Sequence, residues 1–188
     1  MLVNKAARYL ALGGRDGVML DGIDFEPVFF APFVSSVMTV DAGWADHNGH
    51  LHAAFYSLLF DRAVDEAVFL VGLGPHLVES RSASFVTMEA HQRFQRELRA
   101  GQEVRATLRL INYDDKRMHL FQELHHAREG WIASTYEQIA QHVEAGTRRV
   151  VPFPDEVLER LALMKAAHGA LPVPEGLGRP VNMPIRLS

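Results

Sequence analysis

The segment from Phe55 to Val71 restricts the fold of this chain more than any other stretch. Its polar residues recur at helical spacing and fall on one narrow stripe, while apolar residues cover the rest of the circumference. These polar residues are Ser57, Asp61, Arg62, Asp65 and Glu66. A helix that is apolar on most sides is largely buried, so the rest of the chain must surround it. Gly72, Gly74 and Pro75 are predicted to end this helix.

Five strand-like segments accompany the helix, one before it and four after it. They are residues 33–41, 82–98, 103–112, 116–127 and 131–145. The third segment alternates strictly between apolar and polar residues, which predicts a strand with one buried face. Its apolar positions are Val104, Ala106, Leu108 and Leu110. Short turns, including Gly101-Gln102, predict antiparallel hairpins between consecutive strands of the last four.

This order of elements predicts an α+β fold in which one antiparallel sheet curls around a central helix. A second amphipathic helix is predicted after Pro154, with Gly169 as its end, followed by an extended tail rich in proline and glycine. We predict one domain over residues 1–188. It comprises an N-terminal extension (1–30), a core (33–143) and a C-terminal helix with its tail (154–188).

Composition excludes several classes of function. The 188 residues include no cysteine, which rules out a disulfide scaffold, a thiolate metal site and a cysteine nucleophile. The formal net charge of −4 gives no general attraction for nucleic acids. No secretory signal is evident, and no window approaches the roughly 18 apolar residues of a membrane span. We therefore expect a soluble, cytoplasmic protein that binds neither membranes nor nucleic acids.

A group of polar residues stands directly before the buried helix and is the main candidate site. It comprises Asp46, His47, Asn48, Gly49, His50 and His52. The first turn of a helix has unsatisfied N–H groups that favour negative charge, so a carboxylate here can work beside an anion site. Gly49 lacks a Cβ and lets backbone and ligand approach closely. Asp46 or Asn48 could instead simply cap the helix, and His50 could only fix the loop.

A metal site is a weaker interpretation of the same residues. His47, His50 and His52 are close together in sequence, but no distant carboxylate or histidine lies at a recognisable ligand spacing. We therefore expect no metal and no other cofactor.

The spacing of Asp46, Gly49 and His50, with Tyr56 six residues after the histidine, resembles the 4-hydroxybenzoyl-CoA thioesterase-like group of the hot-dog fold. The resemblance covers residues 33–143. The later stretches "DDKRMHLF" and "VVPFPDEVLERL" resemble the betainyl-CoA thioesterase subgroup, which acts in carnitine breakdown. Two departures are clear. The group often has a second aspartate where this chain has Trp44, and Asn-Asn where it has His52-Ala53.

The resemblance implies an acyl-CoA thioesterase that hydrolyses a small acyl-CoA, betainyl-CoA being one candidate. It implies that Asp46 is the catalytic carboxylate, as nucleophile or general base, and that the first helical turn polarises the thioester carbonyl. Asn48 and His50 are the nearest groups that can hydrogen-bond the acid, a water molecule or the thioester oxygen. Two alternatives stay open. One is a hot-dog hydratase or dehydratase acting on enoyl-CoA, and the other is a non-catalytic acyl-CoA-binding module.

Further residues are expected to complete a substrate site. Trp44 and Tyr56 can form an aromatic wall for a quaternary ammonium group. Glu89 can act on a partner subunit's site or form a salt bridge with Arg93, and Arg93 and Arg117 can bind CoA phosphates. A curled sheet has an edge strand that pairing removes, so we expect a homo-oligomer, either a dimer or a tetramer.

Overall fold

The computed structural model describes residues 29–73 and 83–181. The strands are β1 (Phe33–Val34), β2 (Met38–Thr39), β3 (Ala83–Phe94), β4 (Glu103–Tyr113), β5 (Arg117–His126) and β6 (Ile132–Glu144). The helices are α1 (Ala53–Leu70) and α2 (Asp155–Gly169), with a 3-10 turn at Ala42–Trp44. The helix-ending roles predicted for Gly74 and Pro75, most of the N-terminal extension and the last seven residues lie outside the described residues.

The described strands form one antiparallel sheet in the order β1-β4-β5-β6-β3, and β2 also pairs with β4. The hairpins predicted for β4 with β5 and for β5 with β6 are confirmed. The hairpin predicted for β3 and β4 is wrong, because β3 pairs with β6 at the opposite edge. The connection between β3 and β4 is a crossing and not a tight turn. Leu98 lies fully buried in it, and its carbonyl accepts a hydrogen bond from Leu51 N–H at 2.7 Å.

The strand predicted over residues 33–41 is divided into β1 and β2. The division lies at two serines whose hydrogen bonds involve side chains, in addition to the backbone bonds of a regular strand pair. Ser35 is fully buried, and its hydroxyl accepts from Ala106 N–H at 2.9 Å. Ser36 donates its backbone N–H to Glu66 of α1 at 2.7 Å, and its hydroxyl bonds the same carboxylate. These bonds fasten α1 to the edge of the sheet, at the expense of a continuous strand.

The core lies between α1 and the concave face of the sheet. The alternation predicted for β4 is confirmed, since its four apolar residues Val104, Ala106, Leu108 and Leu110 are all buried. The residues of α1 that pack against this face are Leu59, Phe60, Ala63, Val64, Ala67 and Val68. After the helix, Gly72 has a φ of +85°, a left-handed conformation that glycine adopts without strain. The predicted α+β arrangement of a sheet around a central helix is therefore confirmed.

Helix α2 covers one end of the same core and ends at Gly169, as predicted. Val157, Leu161 and Met164 are its buried apolar face. In its last turn the carbonyl of His168 accepts a hydrogen bond from the Arg109 guanidinium at 3.3 Å. No helix in the described part of the chain combines the length and the hydropathy needed to cross a membrane.

Candidate active site

Asp46 organises the loop that leads into α1. Its Oδ1 atom accepts hydrogen bonds from Asn48 N–H at 2.8 Å and from His50 N–H at 3.1 Å. Its backbone N–H donates to His50 O at 2.8 Å, and Gly49 N–H donates to Asp46 O at 3.0 Å. Gly49 has a φ of +78°, and a Cβ added to it would meet nothing within 4 Å. Glycine is thus required here by backbone conformation, whereas crowding within the chain plays no part.

The same hydrogen bonds set the charge of Asp46. The backbone N–H groups of His50 and Asn48 hold the pKa of the Asp46 carboxyl below its ordinary value. The side chain is therefore ionised at neutral pH. Its second oxygen forms no hydrogen bond to the residues that the structure describes. Asp46 thus presents one fixed oxygen to its own loop and one free oxygen that can attack a carbon or accept a proton.

Neither Asp46 nor Asn48 caps α1, so the alternative of a simple helix cap is wrong. The cap is His52, whose Nδ1 accepts from Ala54 N–H at 3.3 Å. Phe55 N–H donates to His52 O at 2.9 Å. Ala53 is an exposed residue, and its N–H has no partner among the described residues. The first turn of α1 therefore keeps one free donor for a developing negative charge.

His50 lies beside a carboxylate that the sequence did not single out. Its Nε2 is 3.3 Å from Glu97 Oε2, and the exposed fractions of the two side chains are 22% and 74%. The two residues are distant in sequence and meet only because the β3–β4 crossing passes the loop. His47 is exposed and His52 caps the helix, so the three imidazoles do not converge. Within residues 29–73 and 83–181, no group of three His, Asp or Glu residues is arranged to hold a metal ion.

The two predicted aromatic residues lie in different environments. Trp44 is half-buried and stacks on Phe55, with ring centroids 5.3 Å apart, and the Arg62 guanidinium carbon lies 5.2 Å from the Trp44 ring centroid. Tyr56 is buried, and its hydroxyl accepts from Leu98 N–H at 3.1 Å. Burial raises the pKa of the Tyr56 hydroxyl. Trp44 is thus close to the loop surface, while Tyr56 supports the loop from inside the core.

The remaining predicted residues are not gathered around Asp46. Glu89 is exposed on the edge strand β3, next to the register shift that follows Thr87. The Arg93 guanidinium packs against Gly176 of the C-terminal segment, where an added Cβ would lie 2.6 Å from Arg93 Nη1. Arg117 binds Asp114 within the β4–β5 turn, at 2.8 Å from Nε and 2.6 Å from Nη2. The roles proposed for these three residues toward CoA or a partner subunit stay predictions.

Comparisons with known proteins show the family of this chain. The family model described as the thioesterase-like superfamily matches residues 40–161. The matched range contains the Asp46 loop, α1, the four long strands and the start of α2.

Two curated relatives are similar over most of the chain. A betainyl-CoA thioesterase of Pseudomonas aeruginosa is 38% identical over 141 residues, which cover 75% of this chain and 89% of that protein. An L-carnitine dehydrogenase/betainyl-CoA thioesterase of Rhizobium meliloti is 37% identical over 143 residues. That alignment covers 76% of this chain but only 29% of the longer protein.

Two solved structures share the fold. A Staphylococcus aureus protein determined in complex with CoA has a TM-score of 0.74 and 29% identity, over 82% of this chain and 98% of that chain. A DHNA-CoA thioesterase, also from Staphylococcus aureus, has a TM-score of 0.68 over 74% of this chain and 95% of that chain; at 12% identity it supports the fold alone. The predicted hot-dog fold is confirmed. This chain belongs to the thioesterase-like superfamily.

Proposed function

We propose that this chain hydrolyses small acyl-CoA thioesters with Asp46 as the reacting carboxylate. One observation carries the proposal: Asp46 is ionised and fixed by two N–H groups of its own loop, with one oxygen free, directly before the start of α1. Thioester hydrolysis is the activity named for the curated relatives. A carboxylate held in this way loses little entropy on reaching a reactive geometry.

The proposed reaction uses the first turn of α1 as its oxyanion site. As the carbonyl carbon becomes tetrahedral, its oxygen gains negative charge, and we propose that the free Ala53 N–H donates to it. The helix dipole adds to this stabilisation, because the N-terminal end of α1 favours an anion. The Asn48 side chain is exposed and makes no hydrogen bond within the described part of the chain, and we propose that it donates to the same oxygen or to a water molecule.

Asp46 can act in two ways, and an isotope experiment separates them. As a nucleophile, its free oxygen attacks the thioester carbon, CoA leaves with the electron pair of the C–S bond, and water then cleaves the resulting anhydride. As a general base, it takes a proton from the water that attacks the carbon directly. In a single turnover in ¹⁸O-labelled water, only the nucleophilic route can place the label in the Asp46 side chain. Peptide mass spectrometry measures that label.

We propose betainyl-CoA as the preferred substrate, and the two curated relatives that carry this activity in their names support the choice. The predicted aromatic wall contributes less than expected. The guanidinium of Arg62 lies over Trp44, so a trimethylammonium group on that ring would meet a like charge. The activity named for the two relatives therefore supports the proposed preference for betainyl-CoA more than the Trp44 ring does.

A thiol-release assay with a panel of acyl-CoAs tests this proposal. We expect a higher kcat/KM for betainyl-CoA than for 3,3-dimethylbutyryl-CoA, its neutral isostere, and than for a long-chain acyl-CoA. A ratio near one for the isostere would remove the betainyl preference and leave thioesterase activity standing. Loss of enoyl-CoA absorbance without thiol release would favour the hydratase alternative, and binding without any turnover would favour an acyl-CoA-binding module.

We also propose that the active form is a homodimer joined through β3. This strand pairs with β6 on one side only among the described strands, and it exposes Val86, Met88 and Phe94 at 41%, 61% and 56%. An exposed apolar edge strand is removed from solvent when a second copy pairs with it. Glu89 lies on the same strand, so pairing would place it near the partner subunit.

A further inference from the structure

A short segment after β3, residues 95–99, touches three parts of the fold. The backbone N–H groups of Gln95 and Arg96 donate to Ala133 O of β6 at 2.9 and 3.1 Å. The Arg96 guanidinium carbon lies 4.1 Å from the ring centroid of Trp131. These contacts fix the beginning of the segment against the end of the sheet.

The other end of the segment is fixed against the Asp46 loop and α1. Leu98 is fully buried, its N–H donates to the Tyr56 hydroxyl at 3.1 Å, and its carbonyl accepts from Leu51 N–H at 2.7 Å. His50 and Arg99 form an isolated antiparallel bridge beside these bonds. The backbone is therefore held on both sides of Glu97. The position of the Glu97 Cα is therefore fixed, although most of the Glu97 side chain is exposed.

The Glu97 carboxylate faces a nitrogen that has no other partner among the described residues. His50 Nε2 is sealed from solvent and has no aligned hydrogen bond to any described residue, while Glu97 Oε2 lies 3.3 Å away. A buried polar atom without a hydrogen bond is costly. A modest rotation of the Glu97 side chain aligns the pair, and catalytic hydrogen bonds are often poorly aligned before substrate binds.

We infer that Glu97 is a positioning residue for His50, which holds the imidazole with its Nε2–H toward the carboxylate and stabilises the protonated ring. The inference rests on the proposed thioesterase function and assigns His50 a step in it. When the C–S bond breaks, its electron pair stays on sulfur, and the proton of the imidazolium moves to that sulfur. The proton that water gives up during hydrolysis, directly or by way of Asp46, restores His50. The net change is one water and one thioester converted to one acid and one thiol.

Charged residues of two chain segments lie next to His50. Glu97 and Arg99 lie on the 95–99 segment, Glu97 at 3.3 Å from His50 Nε2 and Arg99 in the backbone bridge to His50, and Asp46 lies on the same loop as His50. An opposite charge next to an ionisable ring favours the charged form of that ring. Removal of the Glu97 charge should therefore move the activity that depends on protonated His50 to lower pH.

Three variants test the inference in the full-length protein. Glu97→Gln removes the charge, Glu97→Asp keeps it at a shorter reach, and Glu159→Gln is the control, because Glu159 is exposed on α2. For Glu97→Gln we expect kcat to fall about tenfold with KM changed less than about twofold, since one positioned proton donor contributes about 10²-fold or more in full. The basic limb of its kcat profile should move to lower pH. Glu97→Asp should recover part of both changes, and the control should match wild type.

Two results would overturn the inference. One is a Glu97→Gln variant with the kcat and pH profile of the control. The other is a variant in which both kcat and the free energy of unfolding fall while the pH profile of kcat does not move, which would indicate a structural role only. NMR titration of the His50 ring, assigned with His50→Gln, separates this inference from the proposed function. If wild type releases no thiol from any acyl-CoA, the proposed function fails. Independently of that result, an equal titration midpoint of His50 in wild type and in Glu97→Gln would refute the pairing of Glu97 with His50.

Discussion

Replacement of Tyr56 by phenylalanine tests whether the Asp46 loop is supported from the core. The Tyr56 hydroxyl accepts the hydrogen bond of Leu98 N–H, and Leu98 is fully buried. Tyr56→Phe keeps the ring and its edge-to-face contact with Phe94, whose centroid is 5.2 Å away. The substitution removes only the acceptor and leaves a buried N–H without a partner.

The expected cost follows from that single unpaired group. A buried donor left unsatisfied costs about 1–3 kcal/mol, so we expect the free energy of unfolding to fall by that amount. Leu98 also accepts the hydrogen bond from Leu51 N–H, and Leu51 follows the Asp46 loop. We therefore expect this loop to become less rigid and kcat to fall as well. We expect no larger loss of stability, because the phenylalanine ring keeps the packing of the tyrosine ring.

Urea unfolding measures this cost, with Tyr113→Phe as the matched control. Tyr113 is half-buried on β4, and its hydroxyl has no hydrogen bond to a described residue. We expect the control to change stability by less than about 0.5 kcal/mol. All variants should be compared at one protein concentration, because self-association would shift the midpoints. Equal midpoints for Tyr56→Phe and Tyr113→Phe would refute the reasoning.

Three further predictions concern other parts of the fold. Burial lowers the pKa of His168, which accepts from Leu110 N–H at 2.8 Å; its contribution to stability is present above its ordinary pKa of 6.5 and is lost as pH falls below it. Urea midpoints should therefore drop more for wild type than for His168→Gln between about pH 7.5 and about pH 5.5. Gly49→Ala should cost about 1–2 kcal/mol in thermal unfolding because of the positive φ, and Gly146→Ala, where an added Cβ meets nothing within 4 Å, should stay near wild type. Sedimentation at micromolar concentration should give the mass of a dimer, and a monomer would contradict the proposed pairing through β3.

Local patterns in the sequence predicted the elements and their faces. Polar residues on a narrow stripe predicted α1, and the strict alternation in β4 predicted its buried face, because each pattern follows directly from backbone geometry. The same reasoning failed for the partner of β3. Strand pairing depends on packing between residues that are distant in sequence. The chain between β3 and β4 buries Leu98 and crosses to the other edge of the sheet, so the turn at Gly101 does not join paired strands.

The candidate site was predictable only in part for the same reason. Asp46 and Gly49 are visible because their spacing marks a loop before a helix. Glu97 could not be found, since only the folded chain brings it to His50. The identity of the helix cap was also hidden, because Asp46 uses its acceptor within its own loop and leaves the cap to His52.

The most direct test of the central proposal is the turnover of acyl-CoA by Asp46→Asn beside Asp41→Asn. Asp46 Oδ1 accepts two backbone N–H groups and Asp41 Oδ1 accepts one, and asparagine keeps an oxygen that can accept these bonds in both loops. Only Asp46 is proposed to react. We predict a folded Asp46→Asn protein whose kcat for thiol release is lower by about 10²-fold or more, and an Asp41→Asn protein close to wild type. Near-normal turnover by folded Asp46→Asn would contradict the catalytic role of this carboxylate.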